Sequence, residues 1–140
     1  MIRSRREHRR GSAMIESALV LGAFLFLIIG TLDIGRLMFM HQTLTERARS
    51  AVRWGASRTY DETGIRNMIL YNSSTTSADS RAIFGLGTSN VTVSRLAGTG
   101  GNPDRIRVRI TGWTYRFLAP YIAGSVVAPD IVTAMTMENP

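Results

Sequence analysis

The longest apolar stretch of the chain lies close to its N-terminus. No charged residue occurs between Ser17 and Leu32, and the stretch extends back to Ser12 with Glu16 as its only charged interruption. A helix needs about 20 mostly apolar residues to cross the hydrocarbon core of a membrane. A run of this kind would be unusual as the central helix of a small soluble domain. The pattern therefore predicts one transmembrane helix over about residues 13–33.

The helical pattern continues beyond the apolar stretch, but there only one face stays apolar. Small and apolar residues recur at alternating three- and four-residue spacings, and charged or polar residues occupy the other faces. This periodicity is typical of an amphipathic helix. The sequence predicts one long helix over residues 12–58, with a transmembrane first half and an amphipathic second half. The predicted stripe consists of Ile34, Leu37, His41, Leu44, Ala48, Ala51 and Gly55.

The remaining residues, 59–140, have the pattern of a small head domain. Apolar and arginine side chains alternate along Arg105–Thr111, as in a strand with one buried face. Gly112 interrupts the alternation as a bulge would, and the alternation resumes in shifted phase at Trp113. The prediction is an α+β fold in which the long helix packs on a small antiparallel β-sheet. Its predicted elements are a short helix capped by Asp61 or Thr63 and strands at Val91–Arg95, Arg105–Thr111 and Ile131–Met137.

The positive charge of the chain is concentrated before the apolar stretch. The net charge is +7, and residues 1–11 hold five arginines against one glutamate. Basic residues beside a membrane span stay in the cytoplasm, so the head is expected on the periplasmic side. A charge gathered in a terminal segment also makes nucleic-acid binding unlikely, since that requires a basic patch on the folded surface. The arginines of this basic leader are Arg3, Arg5, Arg6, Arg9 and Arg10.

Other classes of function find little support in the composition. The chain has no cysteine and two histidines, so disulfides, thiolate metal sites and a metal cluster are not expected. No arrangement of serine, histidine and acid suggests catalysis. We expect a protein that is not an enzyme and that carries no cofactor.

Gly11, Ser12 and Glu16 stand between the arginines and the apolar stretch. A carboxylate inside a membrane span costs about 2.5–3.5 kcal/mol on insertion scales. If the chain is cut after Gly11, the new α-amine of Ser12 could pair with the carboxylate of a neighbouring subunit. Glycine suits such a cut because it has no Cβ to hinder a protease. The alternative is that Glu16 only interacts favourably with the helix macrodipole as a charge near the N-terminus.

Three segments together resemble the TadE-like family, the pseudopilins of the tight-adherence (Tad, Flp) branch of type IV pili. They are Arg10–Leu21 (RGSAMIESALVL), Gly30–Leu37 (GTLDIGRL) and Leu44–Ala56 (LTERARSAVRWGA). The close resemblance covers about residues 10–58, and Val132–Met137 also resembles the last strand of the family. Ser17 stands where family members often carry an aromatic residue.

The resemblance implies cleavage by a dedicated prepilin peptidase and a role as a minor pilus component. The implied partners are other pilins and pseudopilins, an inner-membrane assembly platform and the lipid bilayer. The implied location is the bacterial inner membrane, as a single-pass protein with a cytoplasmic N-terminus and a periplasmic head that can be incorporated in the pilus.

Further residues of the span are candidates for contacts and for the membrane edge. Asp33 with Arg36 is predicted to mark the outer boundary of the membrane. Small residues on one face suit close helix packing in lipid. This face consists of Ala18, Gly22, Phe26 and Gly30.

Two alternatives stay open at the level of sequence. The first is an uncleaved, inner-membrane-anchored periplasmic adaptor. The second is a membrane-tethered nucleic-acid-binding module that uses a ridge of Arg95, Arg105, Arg107 and Arg109, for which a solvated strand face is the simpler interpretation.

Overall fold

A computed structural model describes residues 3–76, 79–119 and 124–138, with side chains from residue 12 onward. The first element is one long helix, α1, which spans Arg3–Ala56. Ser17 and Thr31 donate their hydroxyl hydrogens to the carbonyl oxygens of Ala13 (2.9 Å) and Leu27 (2.8 Å). The hydroxyl groups of Ser17 and Thr31 are therefore satisfied within the helix itself, which suits a medium without water.

The remaining elements follow α1 in the chain. The second helix, α2, spans Glu62–Tyr71, and two short 3₁₀ turns occupy Ile83–Gly85 and Thr88–Asn90. The strands are β1 (Val91–Leu96), β2 (Arg105–Ile110), β3 (Thr114–Arg116), β4 (Ser125–Val127) and β5 (Ile131–Thr136).

The chain divides into two compact units. One unit combines Met1–Arg36 with Phe117–Gly124, and the other combines Leu37–Arg116 with Ser125–Pro140. The second unit contains the distal part of α1, α2 and all five strands.

The α2 helix begins at the residue type that favours helix starts. The Asp61 carboxylate accepts a hydrogen bond from the Gly64 backbone N–H at 3.0 Å, which satisfies one of the free donors of the first turn. Of the two predicted caps, Asp61 is therefore the one that the structure uses. The helix ends at Asn72, whose φ of 58° lies in the left-handed region that asparagine tolerates.

The main sheet has three antiparallel strands in the order β1-β2-β5. Its central strand, β2, buries one side completely, and the exposed arginines alternate with the buried residues as the pattern predicts. A Cβ atom placed on Gly55 of α1 would lie 3.2 Å from Ile106 Cδ1 and 2.7 Å from Ile65 Cγ1. The helix thus packs directly on the sheet and on α2, which confirms the predicted α+β fold. The fully buried residues of β2 are Ile106, Val108 and Ile110.

The buried face of the distal helix is rotated from the predicted stripe. Leu44, Ala48 and Ala51 are fully buried as expected. The prediction was wrong for Ile34 and His41, which are exposed, whereas Met40 is buried. A three- and four-residue spacing shows that one face of the helix is apolar, but it does not determine which residues at the edges of that face are buried. Neighbouring residues differ by roughly 100° around the helix, so a small rotation exchanges Met40 for His41 at the buried edge.

A separate two-stranded sheet was not predicted. β3 pairs antiparallel with β4, and Gly112, with φ of 66°, separates β2 from β3 instead of forming a bulge within one strand. Trp113 and Tyr115 are buried, and the Trp113 indole N–H donates to the Pro129 carbonyl at 3.2 Å. The aromatic residues after Gly112 therefore contribute to the core.

Candidate functional site

The basic leader and the predicted cleavage site lie at the start of α1. The side chains of Arg3, Arg5, Arg6, Arg9, Arg10 and Gly11 lie outside the described residues, although the backbone of residues 3–11 belongs to the helix. Ser12, the first residue after the predicted cut, is exposed. Cleavage between Gly11 and Ser12 stays a prediction.

Glu16 lies on an exposed and largely apolar surface of α1. Val20 and Phe24, one and two helical turns further on, are 65% and 58% exposed. Within residues 12–76, 79–119 and 124–138, no group forms a hydrogen bond or ion pair with the Glu16 carboxylate. The carboxylate is therefore available for a partner from another molecule.

The surface around Glu16 exposes large apolar side chains without interruption. By length and composition, α1 is the one helix in the described part of the chain that could cross a membrane, and the chain buries none of its most apolar window. This helix fits a single-pass membrane anchor, because so large an apolar surface needs a partner other than water. The exposed residues are Met14, Ile15, Leu19, Val20, Leu21, Phe24, Leu25, Phe26, Leu27, Ile28 and Leu32.

The predicted packing face is open. Ala18, Gly22 and Phe26 are exposed and Gly30 is half-buried. No described atom lies within 4 Å of a Cβ built on Gly22 or on Gly30. A second helix could approach the backbone of α1 closely along this face.

Asp33 occupies a different environment from the one that its sequence position suggested. Its side chain is only 3% exposed. Oδ1 accepts a hydrogen bond from the backbone N–H of Leu118 at 2.8 Å, and Oδ2 accepts one from the backbone N–H of Ala119 at 3.0 Å. Arg36, its predicted companion at the membrane edge, is exposed. These contacts were not foreseen, since nothing in the local sequence relates Asp33 to residues 85 positions away.

The four arginines considered as a basic ridge are divided between two faces of the sheet. In the pairing of β1 with β2, Arg95 is opposite the buried Ile106 and therefore lies on the same face of the sheet as Ile106. Arg107 is opposite Ser94 and lies on the other face. Arg95 pairs with Asp104 at 2.6 Å. The Gly98 backbone N–H, and then Arg95, lower the pKa of the Asp104 carboxyl. Arg95 therefore supports the turn between β1 and β2 and is separate from the row formed by Arg105, Arg107 and Arg109.

Comparison with known proteins identifies one family. Residues 11–53 match the family model described as TadE-like protein. Neither a curated protein nor a solved structure matches the chain. The resemblance predicted for residues 10–58 is thus confirmed over the matched segment, which contains Gly11, Ser12, Glu16 and Asp33. The match shows that residues 11–53 are similar to TadE-like proteins.

Proposed function

We propose that this chain is a minor pilin, or pseudopilin, of a Tad-type pilus. It takes part in assembly, initiation or tip formation after a prepilin peptidase removes residues 1–11. The observation that carries the proposal is that the TadE-like segment contains a carboxylate, Glu16, that is exposed on the apolar surface of α1 and has no ion pair among the described residues. A charge in this position is unfavourable for a simple anchor and becomes useful when a neighbour supplies the opposite charge.

Cleavage supplies that opposite charge. Hydrolysis of the peptide bond between Gly11 and Ser12 leaves Ser12 with a protonated α-amine at the start of the mature helix. In an assembly of parallel helices, the amine of one subunit can approach the Glu16 carboxylate of another. The attraction between the two charges is much stronger in lipid than in water, because it varies inversely with the dielectric constant. The pair would therefore favour lateral recruitment from the membrane.

Helix contact along the small-residue face would accompany this charge pairing. Ala18, Gly22 and Gly30 leave the α1 backbone accessible, so that a neighbouring pilin or pseudopilin helix can pack closely. The remaining partners in this proposal are the prepilin peptidase, an inner-membrane assembly platform and the lipid bilayer.

The proposed topology has a cytoplasmic leader and a periplasmic head. Five arginines precede the span, whereas Asp33 and Arg36 offset each other at its outer end. Protease added to spheroplasts is therefore expected to digest the head nearly completely, while a cytoplasmic control protein stays intact. Full protection of the head in spheroplasts would mean that the topology is reversed.

The function itself is tested by exchanging the span. In a strain that lacks the gene, the full chain should restore surface pili, counted by electron microscopy. A chimaera in which an unrelated apolar span replaces residues 13–32, with Asp33 kept, should remain in the membrane and restore about one tenth as many pili or fewer. Its membrane level, measured by immunoblot, is the control.

The chimaera separates the pilin from the uncleaved periplasmic adaptor. An adaptor needs its span only as an anchor, so an unrelated span would serve it equally well. Pilus numbers equal to those of the full chain would therefore contradict the pilin proposal and favour the adaptor.

A further inference from the structure

The strongest feature outside the proposed assembly residues is the buried carboxylate of Asp33. Each of its oxygens accepts one backbone N–H, from Leu118 and from Ala119 respectively. Two consecutive amides thus hold one carboxylate whose side chain is only 3% exposed. A charged residue at the end of an apolar helix becomes compatible with nearby lipid when it is covered in this way.

The same hydrogen bonds determine where Leu118 lies. Its own backbone nitrogen is 2.8 Å from a carboxylate oxygen of Asp33, so residue 118 is at the level where the apolar stretch of α1 ends. Ala119 is buried, whereas the Leu118 side chain is 59% exposed. Leu32 and Ile34, the neighbours of Asp33 in α1, are 63% and 62% exposed. Leu118 therefore extends an apolar surface that begins in the membrane span.

We propose that the segment Phe117–Ala119 is a second membrane contact, in which Asp33 holds Leu118 so that its side chain enters the outer-leaflet interface of the lipid bilayer. Lipid is the occupant because this apolar surface continues directly from the surface of the proposed span. Asp33 acts here as a positioning residue and does not itself contact the acyl chains. The inference rests on the membrane placement in the proposed function.

The test uses single cysteines, since the chain has none of its own. Full-length Leu118→Cys is labelled with a fluorophore and reconstituted in phosphatidylcholine–phosphatidylglycerol vesicles that carry a nitroxide quencher near the headgroup. Phe24→Cys, in the middle of the span, is the positive control and is measured in matched vesicles that carry the nitroxide near the end of the acyl chain. Val127→Cys in β4, an apolar residue that is 65% exposed, is the matched control for exposed apolar residues of the head.

We expect the label at position 118 to be quenched at least twofold more strongly than the label at position 127. Adding Asp33→Ala should reduce quenching at position 118 to the level of position 127. Asp33→Asn, which keeps one acceptor oxygen, should give an intermediate value.

Equal quenching at positions 118 and 127 would overturn the inference, and this comparison needs no change at Asp33. Unchanged quenching at position 118 in both folded Asp33 variants would overturn the positioning role. If the label at position 24 is also unquenched, the span is absent and the proposed function fails as well. If position 24 is quenched and position 118 is not, only the second membrane contact is wrong.

Discussion

Pilus formation should fall at least about tenfold when Glu16 is replaced by alanine, while the protein stays at its normal level and mature size. Insertion should be as good or better, because removing an intramembrane charge saves up to about 2.5–3.5 kcal/mol. Cleavage should continue, because the carboxylate lies beyond the scissile bond. Recruitment should fail, because the amine of the neighbour loses its partner in a medium of low dielectric constant.

The size of the effect follows from the environment of the pair. Removing one member of a buried ion pair typically costs about 3–5 kcal/mol, which corresponds to more than about a hundredfold in an association constant. Glu16→Gln should behave like Glu16→Ala, since it keeps the shape of the side chain without the charge. Glu16→Asp should retain part of the function, because its side chain keeps the charge but is too short to reach the amine of the neighbour as well as glutamate does. Surface pili per cell and crosslinking to pilins are the measurements.

Glu46→Ala is the matched control for the Glu16 series. Glu46 lies on the same helix and pairs with Arg49 at 3.1 Å, but both side chains are more than half exposed. Exposed pairs of this kind contribute about 0–1 kcal/mol, so pilus numbers should not change. Normal assembly of Glu16→Ala would leave Glu16 as a simple helix-end charge. Failure of that variant at cleavage would make Glu16 a recognition element for the peptidase.

Gly11→Leu should abolish processing almost completely, so that a longer form accumulates in the inner membrane. The backbone of α1 is helical through residues 11 and 12, and a peptidase has to open this turn in order to reach the bond. Glycine makes opening easier, because it is less favourable than alanine in a helix by about 0.8–1.0 kcal/mol. Leucine favours the helix and adds a side chain beside the scissile bond. The measurement is the ratio of precursor to mature protein by immunoblot.

Gly35→Leu is the control for this substitution. A Cβ at Gly35 has no described atom within 4 Å, so the same change there should leave processing unchanged. Normal cleavage of Gly11→Leu would mean that the peptidase does not depend on glycine at this position.

The structural elements that could be predicted from sequence are those in which apolar residues form a long run or recur at regular spacing. The apolar run predicts the membrane part of α1, and strict alternation predicts β2 with its buried Ile106 and Val108. Asp61 could be named as one of two candidate caps because its side chain bonds to an amide only three residues away. In each of these cases the interaction that forms the element is local, so neighbouring residues contain the information.

Features that depend on distant contacts could not be predicted. β4 has three residues, all exposed, and so lacks the alternation that identifies a strand. The burial of Asp33 depends on amides 85 and 86 residues later in the chain. The sequence places Asp33 at the predicted membrane edge, but its pattern contains no information on which backbone donors will reach the carboxylate.

The N-terminal residue of the native protein tests the central claim most directly. The protein would be isolated from the inner membrane of a strain that contains its prepilin peptidase, and its intact mass and N-terminal sequence would be determined. The proposed mechanism predicts a mature chain that begins at Ser12 and lacks residues 1–11, with Glu16 as its fifth residue. A membrane form that still begins at Met1 would contradict the prepilin mechanism and favour a permanently anchored adaptor.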